Sequence, residues 1–183
     1  MKHSSVNKIT AIVPAAGIGS RMSSSIPKQY LPIGTKTVLE HTLSILVSHP
    51  AVSHVLVALN KNDTHFDHLA IASHHKIARI YGGSERVDSV LNGLEIIQDD
   101  QWVMVHDAAR PCLEHKDIDK LIDIIENNNE PDMLFKYAGA ILAKPAIDTM
   151  KQTLSSSTLI HTTINRETLW HALTPQLFQA KLL

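Results

Sequence analysis

An α/β fold, with a mostly parallel twisted sheet and helices on both faces, follows from three features of the sequence. Short apolar, β-branched runs alternate with stretches of helical periodicity, which is the pattern of strand–helix–strand units. The second run, Val52–Leu59, is nearly all apolar after His54, as a strand buried on both faces must be. Three of the runs empty into corners of small and charged residues: 15–21, 82–86 and 107–110. In a parallel sheet such corners open on one edge, where ligands bind.

The elements follow in order. Residues 1–8 are polar and expected to fray. Residues 9–13 form the first strand, which Pro14 ends because it has no N–H to donate. Val38–Ser48 is a helix with Leu39, Leu43 and Leu46 on one face, closed by Pro50. After Val52–Leu59 comes a turn at 60–63, where Asp63 or Thr64 can cap a short helix running to about Ser73. Ile77–Tyr81 is a third strand. Val87, Val90, Leu91, Leu94 and Ile97 then mark an amphipathic helix, with Arg86 and Ser89 off the stripe and free to face a ligand. Trp102–Val105 is a fourth strand. Ile118, Leu121, Ile122 and Ile125 mark another helix, stopped by the asparagines 127–129, and residues 133–142 are read as a strand. Residues 148–165 are polar and β-branched with little to bury, so they form a hairpin or arm standing off the core. The apolar character returns after 166, with Thr174-Pro175-Gln176 as a helix-start signal.

Composition narrows the classes. A chain of 183 residues can build one domain with a substantial core. Its net charge of −1 supplies no field for nucleic acid or for a membrane surface. No apolar run has the length of a membrane span, and the N-terminus lacks a signal-peptide core, so the expected location is the cytoplasm. The single cysteine, Cys112, excludes a disulfide framework. Twelve histidines without metal-ligand spacing read as scattered surface groups.

The corners suit polyphosphate. Gly17 and Gly19 let backbone amides face an anion, and Arg21 and Lys28 supply positive charge. Taken singly, the glycines could be a tight turn and the cations solvated surface groups. The third glycine of the dinucleotide fingerprint is replaced by Met22, and no Walker Gly-Lys-Ser/Thr occurs. Asp107, at a strand end, suits a magnesium ion bridging phosphates; the alternatives are a turn cap or a pair with Arg110.

The motifs PAAGIGSRM, PKQYLPI, VLEHTL, GGSERVDSV, VHDAARPC, DTMK and LWHALTPQLF, in that order, resemble the 2-C-methyl-D-erythritol 4-phosphate cytidylyltransferases. The resemblance runs from Ile9 onward. It implies a Rossmann-like nucleotidyltransferase core (1–147 and 167–183) with a protruding β-arm (148–166) that pairs two subunits. It also implies transfer of CMP from CTP to a polyol phosphate in isoprenoid precursor synthesis, with a divalent cation such as Mg2+. On that resemblance Arg21 and Lys28 are catalytic. Pro14, Ala15, Ala16, Gly17, Gly19, Gly82, Ser84, Arg86 and Ser89 bind the nucleotide. Asp107, Arg110, Thr149, Arg166 and Thr174 meet the substrate, with Asp107 also on the metal. Ser84 departs from the acidic residue many relatives carry. Family members continue beyond the position of Leu183 and normally bring a further lysine to the substrate phosphate, so the expectation is a core lacking its usual C-terminal part. The alternatives are a cytidylyltransferase for another polyol phosphate, such as ribitol 5-phosphate, or a nucleotide-binding fragment without turnover.

Overall fold

The computed structural model describes residues 8–17, 26–127 and 137–183. Strand β1 (Ile9–Pro14) lies at the centre, buried along almost its whole length. It is followed by two short strands, β2 (Pro32–Ile33) and β3 (Lys36–Thr37), which pair as a small hairpin. Helix α1 (Val38–Ser48) starts from a reciprocal cap: the Glu40 amide donates to Thr37 Oγ1 at 3.2 Å, and the Thr37 amide donates to Glu40 Oε2 at 2.8 Å. Then come β4 (Val52–Leu59), β5 (Ile77–Tyr81), α2 (Arg86–Leu94), β6 (Trp102–Val105), α3 (His115–Asn127) and β7 (Gly139–Pro145). The chain ends with a hairpin of β8 (Lys151–Thr153) and β9 (Ile160–Thr163), and the long strand β10 (Trp170–Gln179).

Six strands make one sheet in the order β5-β4-β1-β6-β10-β7. The pairs among β5, β4, β1 and β6 are parallel, and β10 runs antiparallel between β6 and β7. The chain leaves β1 toward β4 on one side and later returns to β6 on the other, so the strand order reverses beside β1. That reversal opens a crevice at the carboxyl ends.

Alternation along the strands sorts the helices onto two faces. Ile9, Ala11 and Val13 of β1 share a core with Leu39, Leu43 and Leu46 of α1 and Ile118, Leu121 and Ile125 of α3. Ile12, Leu56, Val103 and Val105 face the other way, toward Val90 and Leu94 of α2. Each fully buried leucine or isoleucine here contributes about 1.5–3 kcal/mol relative to exposure. No described helix is long and apolar enough to cross a membrane.

Four expectations are corrected. Helix α2 is rolled relative to its predicted stripe: Ser89 and Gly93 are buried, while Val87 and Leu91 are about half exposed. Gly93 fits that roll: a Cβ there would stand 2.8 Å from Ile12 Cδ1, so a larger residue would have to displace the isoleucine or lift the helix from β1. The short helix near Ser73 is instead two 3-10 turns, Phe66–His68 and Ala70–Ser73, with Asp63 Oδ1 accepting the His65 and Phe66 amides. The helix start at Thr174 is a strand: Pro175 sits where the β10 ladder skips between Ala172 and Gln176, an interruption that tolerates a missing N–H. The described part of β7 begins at Gly139 and runs three residues past the predicted end; residues 133–136, and 1–7 of the stretch 1–8 expected to fray, lie outside the described residues. The arm at 148–165 is the predicted hairpin, every residue of its two strands exposed.

Candidate active site

The three corners meet. The Ala15 amide donates to the Ala58 carbonyl, the Gly82 amide to Leu59 and the His106 amide to Ile12, so each corner springs from the carboxyl end of a parallel strand. A Cβ on Gly82 would lie 2.5 Å from Ala16 Cβ and 2.8 Å from Ser89 Oγ. The first two corners are therefore in van der Waals contact. Arg86 Nε then reaches Asp107 Oδ1 at 2.9 Å, joining the second corner to the third. Gly82→Ala should cost about 1–3 kcal/mol through this overpacking. A chemical melt should report that loss, with nucleotide binding weakened alongside.

The first corner is held from inside. Pro14 and Ala16 are half-buried, Ala15 is buried and Gly17 is exposed. The buried Gln29 amide donates to the Ala15 carbonyl at 2.8 Å and the Gly17 carbonyl at 3.2 Å, which fixes the loop's course. Lys28, exposed, opens the 3-10 turn Lys28–Tyr30. Tyr30 anchors that turn, donating to Asp63 Oδ2 at 2.7 Å. Gly19 and Arg21 lie outside the described residues.

In the second corner Ser84 donates to Asp88 Oδ2, which also accepts the Glu85 amide; these bonds hold the exposed Asp88 carboxyl below its ordinary range. Ser89 is buried by the roll of α2. Its Oγ accepts the Gly83 amide at 3.1 Å and supports the corner from beneath.

The third corner centres on Asp107. Its Oδ1 accepts from Arg86 and its Oδ2 accepts from Arg110 Nε, also at 2.9 Å. The pair with Arg110, left open by the sequence, is thus present, and a second arginine joins it. Burial works against the charge on Asp107, but the hydrogen bonds from Arg110 and Arg86 outweigh it and hold the carboxyl below the usual range. Thr174, half-buried on β10, accepts the Asp107 amide at 3.3 Å. Thr149 is exposed in the loop before β8, and the Arg166 guanidinium donates to the Ile147 carbonyl at the base of the arm. Among the described residues no hydrogen bond ties either to the Asp107 corner.

Three supporting residues escaped the sequence reading: Gln29, Thr42 (its Oγ1 donates to the Ala108 carbonyl at 3.0 Å) and His106. All three stand inside quoted motifs, Gln29 in PKQYLPI, Thr42 in VLEHTL and His106 in VHDAARPC, which is the one signal that could have found them. Among the described residues no three His, Cys, Asp or Glu side chains group as a metal cluster.

His49 and His106 are buried, against the surface reading of the histidines. Burial lowers both below the ordinary imidazole value of 6.5; at His49 it outweighs the Asp119 carboxylate 3.1 Å away, and at His106 the Arg110 carbonyl. The unfolded chain therefore binds more protons than the native one just below pH 6.5, so stability rises with pH there and is lost as pH falls. The melting temperature is expected to drop between pH 7.5 and 5.5, and His49→Gln with His106→Gln should flatten that slope. A slope unchanged by both substitutions would remove these rings as its source.

Comparison with known proteins places this geometry. The family model for 2-C-methyl-D-erythritol 4-phosphate cytidylyltransferase matches residues 9–183. The enzyme of that name from Buchnera aphidicola (subsp. Acyrthosiphon pisum) is 50% identical over 176 residues, covering 96% of this chain and 71% of the relative. Its counterpart from Shewanella sediminis is 55% identical, covering 98% and 73%. A crystal structure of a 4-diphosphocytidyl-2C-methyl-D-erythritol synthase superposes with a TM-score of 0.76 at 38% identity, covering 96% of this chain and 76% of that one. The Francisella tularensis cytidylyltransferase gives 0.70 at 34%, covering 95% and 73%. With its parallel sheet, its three joined corners and matches along nearly its whole length, this chain belongs to the 2-C-methyl-D-erythritol 4-phosphate cytidylyltransferase family.

Proposed function

We propose that this chain transfers CMP from CTP to 2-C-methyl-D-erythritol 4-phosphate, yielding 4-diphosphocytidyl-2-C-methyl-D-erythritol and pyrophosphate, a step of isoprenoid precursor synthesis in the cytoplasm. The observation that carries the reading is the joining of Ala16, Gly82, Arg86, Asp107 and Arg110 on one sheet edge. An acceptor phosphate oxygen attacks the α-phosphorus of CTP. The bond to the bridging oxygen breaks, and pyrophosphate leaves with the electron pair. The attacking oxygen is already ionised at neutral pH, so the site needs no general base.

Catalysis then rests on alignment and charge. Backbone amides of residues 16–19 cradle the triphosphate, and Arg21 and Lys28 meet the negative charge that grows at the α-phosphate. Gly82, Ser84 and Arg86 shape the base and ribose pocket, with Ser89 behind them. Arg110, Thr174 and, from the arm, Thr149 and Arg166 meet the polyol phosphate. A magnesium ion fits the donor set: it takes few protein carboxylates and completes its shell with phosphate oxygens and water, and Asp107 offers one carboxylate kept ionised. When bound, it would neutralise phosphate charge.

The arm, residues 148–166 against a core of 1–147 and 167–183, is the dimer contact. Leu154, Leu159 and Ile160 are 60–78% exposed on a two-stranded hairpin that has too little core of its own. A second copy covering it would place Thr149 and Arg166 at the neighbouring site.

Pyrophosphate release with CTP and magnesium tests the reaction, comparing methylerythritol phosphate, ribitol 5-phosphate and no acceptor, with light scattering on the same sample. Turnover with the first acceptor at dimer mass is expected. Preference for ribitol phosphate would change the substrate, and no release with any acceptor would leave a nucleotide-binding protein.

A further inference from the structure

We propose that His106 is a positioning residue, whose imidazole ties the Asp107–Arg110 turn to Thr174 and so sets where the acceptor-side groups stand. The assignment of that side rests on the function proposed above; the hydrogen-bond chain itself does not.

The ring is 1% exposed beneath the third corner. Its Nε2 lies 3.1 Å from the Arg110 carbonyl, which can only accept, so Nε2 carries a proton. Its Nδ1 lies 3.1 Å from Thr174 Oγ1. With Nε2 carrying the proton, Nδ1 of the neutral ring is the acceptor, and the Thr174 hydroxyl donates to it. Thr174 Oγ1 in turn accepts the Asp107 amide. One continuous chain therefore runs from the Asp107 N–H through Thr174 and the imidazole to the Arg110 carbonyl, closing a ring around the turn.

Backbone pairing does not do this work. Strand β10 pairs with β6 only from Gln176 opposite Val105 onward, and its ladder with β7 skips between Ala172 and Gln176. Thr174 falls in the gap on both sides. Its place relative to Asp107 is left to side chains, and His106 is the buried one that touches both ends of the turn.

The substitutions separate the two halves of the chain. Asparagine can offer an acceptor near the Nδ1 position, and glutamine a donor near Nε2, but neither spans both. His106→Ala is expected to raise the KM for polyol phosphate about tenfold, the loss of a buried hydrogen-bond partner, with the KM for CTP changed about twofold or less. His106→Asn and His106→Gln should each recover part of that loss. An unchanged acceptor KM in His106→Ala would overturn the proposal, as would equal losses toward both substrates. A second readout needs no turnover. Long-range 1H–15N spectra of the wild-type protein should show one buried ring as the Nε2–H tautomer, with its Nδ1 resonance displaced by Thr174→Val. A ring protonated on Nδ1, or one indifferent to Thr174→Val, would overturn the chain of bonds. Wild-type protein that turns over neither polyol phosphate would instead defeat the proposed function and leave this spectrum to decide.

Discussion

Lys28→Ala is expected to lower turnover about 10²–10³-fold while leaving CTP binding nearly intact. The structure gives the cation a fixed root and a mobile tip. Its side chain is exposed, but the next two residues are buried: Gln29 grips the Ala15 and Gly17 carbonyls, and Tyr30 is bonded to Asp63. The ammonium can therefore follow charge as it moves onto the α-phosphate and the departing pyrophosphate. A group that meets charge only as it develops lowers the barrier more than it tightens the ground state. Fold stability should hardly change, since nothing buried is removed. Calorimetric CTP affinity set beside single-turnover rates makes the distinction, and equal losses in both would mean that Lys28 merely binds. Lys28→Arg should rescue only partly, because a planar guanidinium replaces a compact point charge.

The contrast between Lys28 and Ser89 shows what the sequence can carry. Strand and helix periods placed β1, α1, β4, β5 and β6 because each buries a face whose repeat is visible in the residues. The corner residues were legible as types at strand ends, and parallel strands bring such ends together. The roll of α2 was not legible. Val87 and Leu91 match the apolar repeat as well as Val90 and Leu94 do, and the choice between them depends on Gly93 meeting Ile12, a contact 81 positions away in the chain. Ser89 is buried and bonded to the Gly83 amide for that reason. Pro175 misled in the same way. A proline after threonine is a good helix start locally, and only the skipped β10 ladder makes it acceptable in a strand. Thr42, under Ala108, shows the limit most plainly: its motif VLEHTL is visible, but nothing in it names a partner 66 positions away.

Asp107 raises a sharper question, since both of its oxygens already accept from arginines. If it served only to hold Arg86 and Arg110, asparagine would keep one of those bonds and cost little; partly exposed ion pairs contribute about 1 kcal/mol or less each. If it also holds the cation, asparagine removes the one formal charge that a hard metal requires. We expect Asp107→Asn to lower turnover about 10²-fold or more. The magnesium concentration for half-maximal rate should rise with it, while the melting temperature barely moves. CTP binding without magnesium should tighten, because two guanidinium groups lose their internal counter-charge and turn to phosphate. The pH behaviour separates the roles further. The folded carboxyl lies below the ordinary aspartate value of 3.8, so it stays ionised as pH falls to about 4, and the stability its arginine pairs contribute is lost only below that. A rate that declined between pH 7 and 5 in the wild type and equally in Asp107→Asn would therefore come from another group. An unchanged magnesium requirement in Asp107→Asn would reduce Asp107 to a clamp for its arginines and move the cation elsewhere in the site.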